Sequence, residues 1–241
     1  MGAEKQDCTI LFLGPDPPPR STLCRVEWVP LLAWRSINKS SIILNKIYKY
    51  FDSIVLSSPR AVKAIYKDAE KYNILNKIKN IGKKLRVYSI GPSTSAAAEM
   101  LLGWSSTIPP LYTVVELARI VSRSNASMVL GLRSPGANRA LQEILLDNGK
   151  VYLEHYVYYI RVINENIKKL YNSNFECIAV TSSSIARLVK RVGLKGKMLS
   201  IGPETTRALA SVGLDPVCTA EEYTLKGLIS CAEKYCKNKN Y

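Results

Sequence analysis

Three pairs of similar segments occur in the same order in the two halves of this 241-residue sequence. In chain order, the pairs are FDSIVLSSPRAVKAI (51–65) with FECIAVTSSSIARLV (175–189), YSIGPSTSAAAEML (88–101) with LSIGPETTRALASV (199–212), and YTVVEL (112–117) with YTLKGL (223–228). The second and third pairs share one offset of 111 residues, which is hard to obtain by chance. The repeat therefore indicates a duplicated structural unit.

Each copy consists of short apolar runs that alternate with amphipathic segments of helical length, a pattern typical of βαβ units with parallel sheets. The fold class predicted is therefore α/β. We predict strands at 9–13, 25–30, 53–57, 85–90, 127–132, 151–157, 176–181 and 197–201. We predict helices at 40–50, 59–70, 93–103, 113–123, 137–148, 183–192, 203–213 and 223–236.

A further pair of segments predicts how the chain is divided into domains. CTILFLGPDPPPR (8–20) resembles SMVLGLRSPGANR (127–139), since both are a strand followed by a loop of Pro and Gly that ends in Arg. The segment 8–20 belongs with the later copy of the repeat, 175–228, and the segment 127–139 belongs with the earlier copy, 51–117. We therefore expect a discontinuous domain, 1–35 with 160–241, and a continuous domain, 36–159. The chain would cross between them near 31–37 and near 157–163, as two linkers that form an extended ladder.

Charge and composition restrict the class of partner. The formal net charge of +15 favours an anionic partner. The chain has no apolar run long enough to span a bilayer, and its first residues lack the pattern of a secretory signal, so we expect a cytoplasmic protein. The six cysteines form no C-x-x-C pair, and with a single histidine a zinc site is not expected. We expect the cysteines to be reduced and packed as small apolar residues.

The repeated loops lie at the carboxyl ends of predicted strands, where α/β domains bind ligands. In IGPST and IGPET, Gly allows close backbone approach, and Pro begins a helix whose free N–H groups attract anions. SSPR (57–60) and TSSS (181–184) repeat this arrangement at neighbouring strands. A competing interpretation is that each Ser or Thr is a simple helix N-cap. The candidate anion-binding residues are Ser57, Ser58, Arg60, Gly91, Ser93, Thr94, Thr181, Ser182, Ser183, Gly202 and Thr205.

Residues of ordinary catalytic constellations are missing from the sequence. His155 is the only histidine and lies within a predicted strand, where a packing role is expected. No cysteine has a base beside it, and no carboxylate pair stands out. An enzyme with this sequence would act by positioning a reactive ligand. Three tyrosines lie at the predicted crossover, with Tyr156 and Tyr158 on one face of the strand and Tyr159 on the other. One of them could donate a proton to the ligand.

From about residue 51 to its C-terminus, the chain resembles the uroporphyrinogen-III synthase family. The matching motifs are SSPRAV, the paired SIGP-x-T, the YT-x-x-x-L helix start, LRSPGANR, and VY at the end of the following strand. The resemblance implies two flavodoxin-like parallel-sheet domains joined by a two-stranded linker, one of them discontinuous. The N-terminal segment GPDPPPRSTLC departs from the family, because it is too short and too rich in proline for the usual long helix.

The resemblance also implies an activity, a substrate and site residues. The family cyclises hydroxymethylbilane, a linear tetrapyrrole with eight carboxylates, with loss of water and inversion of ring D, and needs no cofactor or metal. The partner expected is therefore this polyanionic small molecule, with no nucleic acid or membrane, bound by a monomer in a cleft between the domains. The family's cleft hydroxyls fall on Ser58, Thr94, Ser182 and Thr205, and its tyrosine falls on Tyr158, with Tyr159 as the alternative. Arg133 and Arg139 are candidate partners for carboxylates.

Two other functions remain open from the sequence. One is a non-catalytic two-domain protein that binds another polyanion. The other, which rests on charge alone, is a basic nucleic-acid-binding protein whose affinity would fall steeply with salt.

Overall fold

The computed structural model describes residues 8–237, and the chain divides into two compact units. One is formed by Met1–Ala33 with Arg161–Tyr241 and is called here the split unit; the other, Trp34–Ile160, is called the continuous unit. Each unit contains one parallel sheet with helices on both faces, so the predicted α/β fold class is confirmed. None of the helices within residues 8–237 combines the length and the apolar character needed to cross a membrane.

Residues 8–237 form eleven strands and ten α-helices. The strands are β1 (Cys8–Phe12), β2 (Cys24–Trp28), β3 (Leu32–Ser36), β4 (Ser53–Leu56), β5 (Arg86–Ser89), β6 (Met128–Arg133), β7 (Val151–Tyr156), β8 (Tyr158–Val162), β9 (Asn174–Val180), β10 (Lys195–Ser200) and β11 (Pro216–Thr219). The helices are α1 (Ser40–Ile47), α2 (Pro59–Lys71), α3 (Leu75–Ile81), α4 (Pro92–Leu102), α5 (Val114–Ser122), α6 (Ala140–Asp147), α7 (Asn164–Leu170), α8 (Ser183–Val192), α9 (Pro203–Ala210) and α10 (Leu225–Lys237).

The continuous unit has a four-stranded sheet in the order β5-β4-β6-β7, and every pair in it is parallel. Its β4 is buried along its whole length, as expected for a strand covered on both faces. Helices α1 to α4 pack on one face around Ile54 and Leu56, and α5 and α6 pack on the other around Val55. This parallel arrangement places the loops after β4, β5 and β6 at one edge of the sheet.

The split unit has a five-stranded parallel sheet in the order β11-β10-β9-β1-β2. Helices α7, α8 and α9 pack on one face of this sheet, and α10 packs on the other. Residues 13–23, which join β1 to β2, contain no helix, as the proline-rich sequence predicts. Glu233 of α10 holds this connection by accepting hydrogen bonds from the Ser21 hydroxyl at 2.6 Å and the Thr22 amide at 3.1 Å.

A third, two-stranded sheet pairs β3 with β8, where the chain passes from one unit to the other. The Ile37 amide donates to the Val157 carbonyl at 2.9 Å, and the Ile163 amide donates to the Leu31 carbonyl at 2.9 Å. These two bonds, at opposite ends of the pair, show that the strands run antiparallel. The two-stranded linker expected with the fold class is therefore present.

The expectation that all cysteines are reduced is wrong. Cys8 is bonded to Cys24, and Cys218 is bonded to Cys231. The first bond joins residues that lie opposite each other in β1 and β2, and the second joins β11 to α10. Both pairings depend on strand register and helix packing, which the linear spacing of cysteines does not reveal. Cys177 is buried, and the side chain of Cys236 lies outside the described part of the chain.

Candidate active site

Apart from Tyr158, which lies on β8, the predicted site residues lie at the carboxyl edges of the two parallel sheets. We call the end of the continuous unit where β4, β5 and β6 finish the continuous edge, and the end of the split unit where β9 and β10 finish the split edge. At each edge, a Ser-rich turn follows one strand and the SIGP motif follows its neighbour. The duplication has therefore produced one matched set of loops in each unit.

Two helices at these edges begin with a serine N-cap. The Ser58 hydroxyl accepts from the Arg60 amide at 3.0 Å, and the Ser182 hydroxyl accepts from the Ile185 amide at 3.4 Å. The capping interpretation is therefore correct for α2 and α8. A cap of this type leaves the second lone pair and the proton of the hydroxyl for another partner.

The helices of the two SIGP motifs begin differently. Gly91 and Gly202 are the N-cap residues of α4 and α9, Pro follows each, and no side chain caps either helix. The capping interpretation is therefore wrong for these two loops. An uncapped N-terminus at the carboxyl edge of a parallel sheet carries unpaired amide donors and a positive partial charge, which favours a bound carboxylate.

A buried threonine accompanies each uncapped helix. Thr94 is 0% exposed and Thr205 is 4% exposed, and both lie in the first turn of their helices. Within the described chain, the Thr94 Oγ1 has no hydrogen-bond partner, and neither has the Oγ1 of Thr181, which follows β9. A buried hydroxyl without a partner is unusual and calls for an explanation, and a bound ligand is one.

Tyr158 and Ser58 are brought together at the continuous edge. The Tyr158 hydroxyl donates to the Ser58 Oγ at 3.3 Å, and the Tyr158 side chain is 6% exposed and packs in the core of this unit. Tyr159, the alternative, is 42% exposed and follows on the opposite face of β8. Of the two tyrosines, Tyr158 therefore has the hydroxyl beside the candidate site.

The split edge contains a recess of about 530 Å³. It is lined by Thr181–Ser184 after β9, by Ile201–Thr205 after β10, and by Tyr223. Ser183 is oriented across it, since its hydroxyl donates to the Glu204 carbonyl at 3.3 Å. All five residues that the sequence proposes for this unit, Thr181, Ser182, Ser183, Gly202 and Thr205, therefore line one recess.

Arg133 is enclosed by protein rather than presented to a ligand. It is 1% exposed, its Nη1 donates to Glu154 at 2.6 Å, and its Nη2 donates to the Asn138 carbonyl at 2.8 Å. Glu154 also accepts from the Tyr152 hydroxyl at 3.2 Å, and burial raises the pKa of this phenol. Arg133 thus secures the loop after β6, and the exposed Arg139 lies at the end of this loop, where α6 begins.

The other predicted residues of the continuous edge differ in their exposure. Ser57 and Arg60 are half-buried, Gly91 is buried, and Ser93 is exposed in the first turn of α4. Sequence reasoning missed three residues near these edges. They are Glu154, which pairs with Arg133, and Tyr112 and Tyr223, which contact the two SIGP glycines. The tyrosines had a signal in the sequence, because they begin the third repeated pair.

Solved structures of uroporphyrinogen III synthases share the fold of this chain. A mutant enzyme from the extremely thermophilic bacterium Thermus thermophilus is 13% identical with a TM-score of 0.65, and the match covers 97% of this chain and 100% of that one. The uroporphyrinogen-III synthetase of Helicobacter pylori is 16% identical with a TM-score of 0.66, and the match covers 95% of this chain and 99% of that one. No curated protein sequence matches the chain significantly. The family model of uroporphyrinogen-III synthase HemD matches residues 24–230, and the chain belongs to this family.

Proposed function

We propose that the chain binds the carboxylates of hydroxymethylbilane at its two carboxyl edges while it cyclises this linear tetrapyrrole. Membership of the family confirms the reaction expected from the sequence, a lyase step of porphyrin and haem biosynthesis that forms uroporphyrinogen III. The observation that carries the proposal is the matched pair of uncapped helix starts at Gly91 and Gly202. Each has a buried threonine in its first turn, and together they supply anion-binding positions in both units.

Each set of residues has a separate part in this proposal. The amides at the starts of α4 and α9 bind carboxylates together with Thr94 and Thr205, because free N–H groups and the helix dipole both attract anions. The hydroxyl of Ser182 adds a further donor beside Thr205 at the split edge. At the continuous edge, Arg139 lies exposed at the start of α6, where it can pair with another carboxylate.

Tyr158 is the proposed proton donor for the departing hydroxyl of the substrate. The C–O bond of the hydroxymethyl group breaks with both electrons going to oxygen, which takes the phenol proton and leaves as water, while the pyrrole nitrogen stabilises the carbon left behind. Ring closure then releases a proton, which returns to the phenolate. Without substrate the phenol donates this proton to Ser58, so its O–H must turn from Ser58 to the departing hydroxyl when the substrate binds, while the buried ring keeps its place. The rest of the catalysis is positioning, because closure of the ring requires the ends of one flexible molecule to be held together.

The proposal also covers the setting in which the enzyme acts. We propose a monomer whose partner is the substrate alone, since the proposed anion-binding positions of both edges come from a single chain. We also propose that it acts in the cytoplasm, where two disulfides are uncommon except in proteins of hyperthermophiles. Gel filtration with light scattering tests the monomer, and cell fractionation tests the location. The structure offers no observation that favours a non-catalytic polyanion-binding protein or a nucleic-acid-binding protein over the synthase.

The isomer composition of the product tests the proposed reaction directly. Purified protein is incubated with hydroxymethylbilane, the porphyrinogens are oxidised, and the type I and type III isomers are separated by chromatography. We expect the type III isomer to predominate with the enzyme and the type I isomer to predominate without it. Formation of the type I isomer alone would contradict the proposed function.

A further inference from the structure

Tyr112 and Tyr223 occupy equivalent positions in the two units and contact the SIGP glycines. A Cβ atom placed on Gly91 would lie 3.1 Å from the ring of Tyr112, and one placed on Gly202 would lie 3.2 Å from the ring of Tyr223. Both glycines have extended backbone conformations that any residue can adopt. Glycine therefore serves close approach here, because it allows the ring to lie against the backbone just before the helix start.

The backbone around each tyrosine is held in the same way. The Thr113 amide donates to the Leu111 carbonyl at 2.8 Å, and the Thr224 amide donates to the Glu222 carbonyl at 2.7 Å, so each tyrosine is the central residue of a γ-turn. The following threonine hydroxyl then accepts from the Glu116 amide at 3.2 Å in one unit and from the Gly227 amide at 3.0 Å in the other. The backbone that carries each ring is thus fixed on both sides without help from the phenol.

The free faces of the two rings are available to a ligand. Tyr112 is 59% exposed and Tyr223 is 66% exposed, and neither phenol has a hydrogen-bond partner among residues 8–237. In the split unit, Tyr223 lines the same recess as Thr205 and Ser182. A binding site of this kind, with one flat aromatic wall and a few polar donors, suits a ligand that is itself flat and carries acidic groups.

We propose that Tyr112 and Tyr223 each pack against a pyrrole ring of the tetrapyrrole, one ring in each unit. The inference rests on the proposed function, and it adds substrate-binding residues that contact the rings rather than the carboxylates. A pyrrole is planar and aromatic, so it can stack on the face of a phenol or meet it edge to face. The neighbouring helix start binds a carboxylate of the same pyrrole. Each edge therefore recognises both the ring and the carboxylate of one pyrrole.

Paired substitutions separate the ring of each tyrosine from its hydroxyl. We expect Tyr112→Ala and Tyr223→Ala each to raise the KM for hydroxymethylbilane about tenfold, which corresponds to about 1.4 kcal/mol. We expect Tyr112→Phe and Tyr223→Phe to keep KM within about twofold, because they keep the aromatic face. Tyr50→Ala and Tyr171→Ala are matched controls, since each tyrosine is 63% exposed and precedes a strand, away from the carboxyl edges.

Binding of uroporphyrin III, which is unreactive and has the same carboxylates, provides a second measurement. We expect its Kd, measured by porphyrin fluorescence, to rise about tenfold in both Ala variants and to stay unchanged in the Phe variants and the two controls. Thermal unfolding followed by circular dichroism identifies any variant that fails to fold. For such a variant, Tyr112→Leu or Tyr223→Leu takes its place, because it removes the aromatic face and keeps an apolar side chain against the glycine.

The possible results distinguish this inference from the proposed function. If the unmodified enzyme makes no type III isomer, the proposed function fails. If it makes the type III isomer but the Ala variants keep normal KM and Kd, the function stands and the role of the tyrosines is wrong. Phe variants as impaired as the Ala variants would also overturn the inference, because the hydroxyl rather than the ring would then be responsible. An effect at only one of the two tyrosines would overturn the paired arrangement.

Discussion

Tyr158 is the residue from which we expect the largest effect on turnover. Tyr158→Phe keeps a ring in the core position, where the side chain is 6% exposed, and removes only the hydroxyl that donates to Ser58. We expect kcat to fall about a hundredfold, the lower part of the range for general acid catalysis, while KM stays within about threefold. Steady-state kinetics with Tyr159→Phe as the control measures this. Full turnover in Tyr158→Phe would assign the proton donor to another group.

His155 makes the stability of the continuous unit depend on pH. Its Nε2 lies 2.8 Å from the Ser40 carbonyl, so the neutral ring donates there, and burial lowers the pKa of His155 although this hydrogen bond and Asp68 oppose the shift. The unfolded chain therefore binds the proton at a higher pH than the folded chain does. The contribution of His155 to stability is complete above about pH 6.5 and falls as the pH decreases towards the lower pKa of the folded state.

Because His155 is the only histidine in the chain, this dependence can be measured without ambiguity. The imidazole proton resonance in an NMR titration gives its pKa, which we expect to lie below about 6.5. We also expect the free energy of unfolding in urea to decrease between about pH 7 and about pH 5 by more in the natural protein than in His155→Gln. A pKa at or above the ordinary value, or equal slopes for both proteins, would contradict the expected effect of burial.

At the scale of the elements, the alternation of short apolar runs with amphipathic segments predicted the strands and the helices that have long apolar faces. It missed β11, a short edge strand with half-exposed residues. It also missed α3 and α7, which have seven residues each, too few for a clear helical period. It also placed the start of α6 at residue 137, whereas the helix begins at Ala140. The cause is the bond from Arg133 to the Asn138 carbonyl, which holds these residues in a loop. Such long-range contacts are not visible in local periodicity.

The site was predictable to the extent that it follows from repeated loops. The position of a loop is determined by the end of the strand before it, and the apolar pattern predicts where that strand ends. This is why the carboxyl edges contain Ser58, Thr94, Ser182 and Thr205. The partner of Arg133 could not be predicted, because Glu154 comes from the next strand of the sheet and the pair depends on register. The same reason explains why the disulfides were missed.

The Cys8–Cys24 disulfide should contribute strongly to the stability of the split unit. It joins β1 to the edge strand β2, which are connected without a helix, and its two cysteines are 16 residues apart. Closing a loop of about 15 residues stabilises a fold by about 3 kcal/mol. We expect the double variant Cys8→Ala with Cys24→Ala to lose about this amount in urea unfolding of the unreduced protein.

A count of thiols provides the control for this prediction. The chain has six cysteines, so two disulfides leave at most two thiols to react in denaturant without a reductant. We expect a reductant to lower the unfolding midpoint of the natural protein further than that of the double variant, which keeps only Cys218–Cys231. Four reactive thiols before reduction would show that one of the two disulfides does not form, and six would show that neither does.

At the scale of the whole molecule, duplication explains why a chain without an ordinary catalytic constellation can still be an enzyme. At the same edge of its parallel sheet, each copy has a helix start without a side-chain cap, a second helix capped by a serine, and an aromatic ring. The two copies differ in the side chains around these shared features. Tyr158 is paired with Ser58 in the continuous unit, whereas a hydroxyl network of Ser200, Thr206 and Thr219 supports the split edge. One copy thus carries the proposed proton donor, and both copies carry the proposed anion-binding positions.

If both edges act on one substrate, losses at the two threonines should add. Thr94→Val and Thr205→Val keep the shape of the side chain and remove the hydroxyl. We expect each variant to raise KM about tenfold, because each loses one hydrogen bond to a charged group of the substrate. The free energies add for separate positions that bind the same molecule, so the double variant should raise KM about a hundredfold. Because the Thr94 Oγ1 has no partner within the described chain, Thr94→Val should not lower the free energy of unfolding. A double variant no weaker than Thr94→Val alone would show that the split edge does not bind the substrate.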